Sequence, residues 1–185
     1  RRQRQMCIRD RNNTDTADYS EIRYEGYGPY GTAFIIEALT DNKNRTATEI
    51  RTIFSRNGGN LGETGSVSYN FDKVGEVVIK ASLNDEMIEE LIEVGVEDYV
   101  LDEGETYLYC KLEDLFTVEK FVQDKKLEVE GAKLIWKPNM NVEITSSEDL
   151  EKLLKLSDDL EDNDDVQNCF SNLDFDSKLI GESDA

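Results

Sequence analysis

Residues 32–59 read TAFIIEALTDNKNRTATEIRTIFSRNGG, and the change of period inside this stretch decides the fold. Thr32 to Leu39 is nearly continuous in apolar residues and reads as a strand, in a mostly antiparallel sheet covered on one face by helices. After Asp41 and Asn42 the period changes. Ala47, Ile50 and Phe54 recur at steps of three and four, which places them on one face of a helix. Asp41 and Asn42 are cap residues, and Gly58-Gly59 is a stop signal, so the helix is predicted over about 43–57. Arg45, Glu49, Thr52 and Arg56 share its opposite face.

Working outward, Glu21 to Tyr27 reads as extended and runs into the turn formers Gly26, Gly28, Pro29 and Gly31. Downstream, a glycine-rich loop reaches Gly65, and 66–71 and 75–80 read as two strands joined by a tight turn. A second set follows: a helix at 85–94 stopped by Gly95, a hairpin of 96–101 and 106–112 around Asp102-Glu103-Gly104-Glu105, a helix at 114–126 and a strand at 132–137. A last helix capped by Ser146 or Ser147 carries Leu150, Leu153, Leu154 and Leu160, and 166–175 reads as a final strand. The order β-α-β-β, α-β-β-α-β, α-β predicts an α+β protein of two small ferredoxin-like-type antiparallel sheet-and-helix domains, the second inserted into the first. The expected organisation is a disordered or non-native leader over 1–17, a split domain of 18–80 plus 145–176, an inserted acidic domain of 81–144 and a disordered tail over 177–185.

The 185 residues carry 21 Lys plus Arg against 41 Asp plus Glu, a net charge of −20. No histidine is present, which excludes His-based triads and His metal ligands. Cys7, Cys110 and Cys169 are few, odd in number and far apart, with no metal-binding spacing and a fit to a reducing, cytoplasmic setting. No apolar run nears the roughly 18 residues of a membrane span, so no membrane partner is expected. Charge is divided unevenly: residues 1–80 hold 12 basic and 11 acidic side chains, residues 81–185 hold 9 and 30, and all nine arginines lie at or before Arg56. Arginine's planar fork suits phosphate, so an anionic partner should meet the first third of the chain. The acidic remainder would repel bare nucleic acid, or serve only as a solvated surface.

Gly26-Tyr27-Gly28-Pro29-Tyr30-Gly31 matches G-x-G-x-x-G, but a dinucleotide fingerprint must open a helix, and here a strand follows. The acidic run 158–165 lacks the glycine of a calcium loop and reads as a solvated turn. Glu37, inside an apolar strand, calls for a partner, with Arg45 or Arg51 the candidates; pairing with Glu63 would be the catalytic alternative. The loop 57–66, NGGNLGETGS, is either an anion-holding nest of backbone amides or a flexible return. The stripe Arg45, Thr52, Arg56 is either a phosphate-contacting face or a solvated one. Tyr24, Tyr27 and Tyr30 could stack on bases or pack over the sheet.

The motifs YEGYGP, EALTDNKNRT and NGGNLGETGSV, in that order, with DDVQN at 164–168, resemble the YebC/PmpR family over about residues 15–174. Members are described as probable transcriptional regulatory proteins that bind DNA; a mitochondrial relative is a translational activator of cytochrome c oxidase subunit I, and others are ribosome-associated translation factors. The resemblance implies a three-domain fold, a basic helical N-terminal domain followed by two α+β domains, the third inserted into the second. This sequence departs from it in lacking the helical domain, and in Tyr30, which stands where the family's loop usually has a second consecutive glycine. It implies a non-enzymatic regulator of gene expression without cofactor. The expected partner is DNA, or structured RNA on the ribosome, with basic ribosomal protein surfaces as a further candidate. The expected contact residues are Tyr24, Tyr27, Gly28, Asn42, Arg45, Arg51, Arg56, Asn60, Gly62 and Thr64.

Overall fold

The computed structural model describes residues 18–181; the expected leader lies outside them. The elements are, in order, β1 (Ser20–Tyr27), β2 (Ala33–Thr40), α1 (Lys43–Arg56), β3 (Asn60–Leu61), β4 (Phe71–Ile79), α2 (Asp85–Val94), β5 (Val96–Asp102) and β6 (Glu105–Cys110). Then come α3 (Leu115–Asp124), β7 (Val129–Pro138), β8 (Val142–Ile144), α4 (Ser147–Glu161), β9 (Val166–Ser171), β10 (Leu173–Phe175) and α5 (Lys178–Gly181). The chain divides into two units, one formed by residues up to Val67 with those from Val142 onward, the other by Ser68–Asn141.

The first unit holds a sheet of order β3-β1-β2-β9, all antiparallel, and a small parallel pair β8-β10. Alternation along β2 sends Phe34, Ile36 and Ala38 to the helix side, where they meet Ile50 and Phe54 of α1 and Leu150, Leu153, Leu156 and Leu160 of α4. The Phe34 and Phe54 rings meet edge-on at 6.0 Å. Each buried leucine contributes on the order of 2 kcal/mol, so two amphipathic helices suffice to hold one sheet face. Leu156, not Leu154, completes the α4 stripe: Leu154 is only partly buried. The strand expected over 166–175 is broken by buried Asn172, whose Oδ1 accepts from Ala33 N at 2.8 Å. The expected tail begins instead with a helical turn, α5, entered through an Asp176 side chain that accepts from Lys178 N.

The second unit runs β4-α2-β5-β6-α3-β7, with sheet order β5-β6-β4-β7 and antiparallel pairing throughout. This is the complete ferredoxin-like βαββαβ unit. It requires a correction: of the two strands expected over 66–71 and 75–80, the first is a turn and a 3-10 helix (Ser68–Asn70), and the expected turn lies inside one nine-residue strand, β4, at the centre of the inserted unit and not in the first. Gly75 reads as punctuation but serves packing. A Cβ there would lie 2.9 Å from Cys110 Sγ and 3.0 Å from Leu115 Cβ, so its absence lets α3 approach the sheet. The division accordingly falls after Val67 and Asn141, earlier than the expected 80 and 144. The β5–β6 turn has Glu103 and Gly104 both at positive φ, 46° and 92°, as a two-residue hairpin turn requires.

Candidate nucleic-acid interface

Asn42 caps α1, its Oδ1 accepting from Arg45 N at 3.1 Å. The cap starts the helix in a register that gives it three faces. Thr46, Ile50, Ile53 and Phe54 are buried. Arg45, Glu49 and Arg56 form one flank, and Asn44, Thr48, Arg51 and Ser55, at steps of four, three and four, the other.

The first flank is a seam with the end of α4 and the turn after it. Arg45 Nη2 donates to Asp41 Oδ1 at 2.9 Å and to Asp165 Oδ2 at 3.0 Å. Asn163 Nδ2 donates to Glu49 Oε2 at 2.8 Å. Arg56 Nη2 and Asn57 Nδ2 both donate to Asp159 Oδ2, at 3.2 and 2.8 Å. Asp165 also accepts from the hydroxyls of Thr46 at 2.7 Å and Thr40 at 3.3 Å. The Thr46 bond, then Arg45, holds the Asp165 carboxyl below the ordinary carboxylate range. The Asn57 bond, then Arg56, does the same for Asp159. So the stripe expected to meet phosphate has its guanidinium groups committed to carboxylates of its own chain. The acidic run expected to be a solvated turn is helical as far as Glu161 and supplies those carboxylates. Nothing local announces this, because the partners lie more than a hundred residues apart.

The second flank is open. Arg51 is exposed and makes no ion pair among the described residues. Sheet order tells where this flank points. α4 packs by β9, at one edge, and α1 packs by β1 and β3, at the other. The flank turned away from α4 therefore overlooks the β3 edge, where the glycine loop emerges.

That loop is built by β1. Gly26 and Tyr27 pair with Leu61 and Asn60, Gly62 N donates to Glu25 O at 2.8 Å, and buried Glu25 accepts from Val67 N at 3.0 Å. Tyr27 Oη donates to Ser66 O at 2.6 Å. Both ends are thus pinned, and Glu63, Thr64 and Gly65 stand exposed between them. Ser66 N closes a turn on Glu63 O at 3.1 Å, and Gly65 takes φ 92°. Among the described residues the amides of Glu63, Thr64 and Gly65 donate to nothing. Three successive free amides on a pinned turn can receive an anion.

The other expected contact residues are placed as follows. Tyr24 is buried, its hydroxyl donating to Lys43 O at 3.1 Å, so it positions α1 and offers no ring for stacking. Gly28 is buried, and a Cβ there would collide with Thr32 Oγ1 and the Phe34 ring; its role is close packing. Gly62 has its amide committed to Glu25. Asn60, Thr64 and part of the Tyr27 ring remain accessible. Tyr30 adopts φ 62°, a left-handed conformation that glycine takes without strain, and its hydroxyl accepts from Lys152 Nζ at 3.3 Å. Glu37 accepts from Asn168 Nδ2 at 3.2 Å and lies opposite Arg23 in register, while Arg45, one of its expected partners, is engaged elsewhere. A groove of about 320 Å³ runs between α4 and α5, and its lining includes neither Glu37 nor Glu63. Among the described residues no acidic or cysteine cluster is arranged for a metal ion, and no helix is long and apolar enough to cross a membrane.

The fold defines a class: two small α+β units, the sequence of one inserted in that of the other. A family model described as Transcrip_reg, TACO1/YebC second and third domain, matches residues 19–173. The crystal structure of a conserved hypothetical protein, Aq1575 from Aquifex aeolicus, is similar with a TM-score of 0.79 at 36% identity, over 89% of this chain and 69% of that one. The chain belongs to the TACO1/YebC family, and membership suggests a regulatory role.

Proposed function

We propose that the chain is a regulator of gene expression that acts by binding nucleic acid, not by chemistry, through the β3 edge of its first unit. The observation that carries this reading is that Arg51, unpaired on the open flank of α1, and three undonated amides at 63–65 belong to the same β3 edge of the sheet. Arg51 supplies a charge-assisted contact to one phosphate and the turn supplies neutral donors to another. Exposed Glu63 opposes this and narrows the site to ligands that keep phosphate on the amide side of the turn.

With Arg45 and Arg56 engaged internally, the cationic footprint is small. Duplex DNA binding draws heavily on many neutralised phosphates, which a chain of net charge −20 supplies poorly. Structured RNA, of the kind displayed on a ribosome, offers irregular single phosphates and is recognised by shape. It is the partner this geometry fits better, in a cytoplasmic setting, with duplex DNA the rival. The experiment is a titration of a ribosomal RNA hairpin and a DNA duplex across salt concentrations, with co-sedimentation on ribosomes. The reading expects RNA to bind more tightly, with a shallow salt slope reporting one to two phosphates. A steep slope with tighter duplex binding assigns the protein to DNA; no binding to either at low salt overturns the reading.

A further inference from the structure

The inserted unit ends its sheet on β5, and that edge is bare. β5 is hydrogen-bonded to β6 on one side and, among the described residues, has no strand on the other. Every residue from Glu97 to Asp102 is exposed, including Tyr99, Val100 and Leu101 at 38%, 46% and 58%. A strand edge with a run of exposed apolar side chains is a template for an added strand. Register separates the three. Tyr99 and Leu101 lie opposite Leu108 and Thr106, on the face covered by helices, and Val100 lies opposite Tyr107, on the other. α2, which packs against β5, adds exposed Ile92.

The surroundings select the occupant by charge. Glu89 and Glu93 of α2, and Asp102 and Glu103 of the hairpin, are exposed and make no ion pair among the described residues. Asp98 and Glu97 are engaged by Lys137 at 2.6 Å and Lys111 at 3.6 Å. Residues 68–141 as a whole carry 18 acidic and 8 basic side chains. A second copy brought edge to edge would set these acids against each other. A bulge between Val96 and Asp98 further spoils self-pairing at one end. An RNA strand would meet the same repulsion. An extended cationic segment meets attraction instead.

We propose that the β5 edge takes an extended basic segment of a partner protein as a fifth strand. Apolar residues of that segment would lie beside Tyr99 and Leu101, and Lys or Arg would face Glu89, Glu93, Asp102 and Glu103. The site belongs to the other unit and does not depend on the nucleic-acid reading.

The test uses the whole chain and a labelled heptapeptide of alternating Lys and Val, with its Glu-Val counterpart as control. Fluorescence anisotropy reads affinity, and amide hydrogen exchange reads position. The expected result is that only the cationic peptide binds, that salt weakens it, and that exchange slows across 97–102 while 62–66 is unchanged. The triple variant Glu93→Lys, Asp102→Lys, Glu103→Lys, at exposed positions, should lose about tenfold in affinity and come to accept the acidic peptide. Unchanged exchange in β4 and β6 confirms that it folds. Absence of binding at low salt, affinity indifferent to the triple variant, protection of 97–102 by polyuridylate without peptide, or protection of 97–102 that rises with protein concentration alone would each overturn the proposal.

Discussion

The two units carry acidic side chains in different company. In the first, Asp159 and Asp165 lie against Asn57, Thr46 and two arginines, and their carboxyls are held below the ordinary range. In the second, Glu76 is buried on β4 with exposed Lys133 at 4.0 Å. Burial pushes its carboxyl up, against the pull of Lys133 and Tyr109. Tyr109 beside it is pushed up to about 12 by burial and by Glu76. Asp159 and Asp165 bolt two helices together, whereas Glu76 is tolerated inside a sheet face; in the second unit Asp98 too is lowered, held by Lys137 on the sheet surface. A net charge cannot distinguish the two, because the distinction lies in which side chain each carboxylate faces.

The sharpest way to break this comparison is Asp165→Ala. It removes an acceptor shared by Arg45, Thr46 and Thr40, and denaturant unfolding should show a loss of about 2 kcal/mol. A loss under half of that would mean the seam is not structural. pH divides the units next. A lowered carboxyl stabilises the fold above its ordinary value near 4, and that stabilisation is lost as pH falls through the lowered one. The α1–α4 seam should therefore hold at pH 5 and open below about 4. Glu76, raised, destabilises the folded state at neutral pH, so mild acidification should first stabilise the inserted unit. Glu76→Gln should abolish that gain, and hydrogen exchange resolved by unit reads both trends. Asp159→Ala comes third, at about 0.5 kcal/mol, since Arg56 is largely exposed. The smallest effect is expected of Glu89→Gln with Glu93→Gln, within about 0.5 kcal/mol, because these carboxylates face only water.

Local features were legible in the sequence. α1 ends one residue before the expected stop, α2 has the expected bounds, and both start at asparagine caps, because caps and periods act within a turn of the chain. The affiliation of β4 was not legible. Its partners β6 and β7 lie far along the chain, and the strand expected to start at Gly75 in fact runs on through it, where the fold needs a missing side chain. Tyr24 could have been assigned to the core, since it alternates with Ile22 on the strand face that α1 covers. The seam could have been suspected only by setting the acidic run 158–165 against the arginines of one helix flank, a pairing that spacing alone does not supply.

The central claim is that α1 divides its arginines between an internal seam and an open edge, and that only the open one binds. Parallel titration of a structured RNA hairpin with the unaltered chain, Arg51→Gln and Arg56→Gln measures this directly. The account predicts that Arg51→Gln weakens binding about tenfold and lowers the salt slope by about one, while Arg56→Gln leaves affinity within about twofold. Equal losses from both variants, or a loss from Arg56→Gln alone, would contradict it.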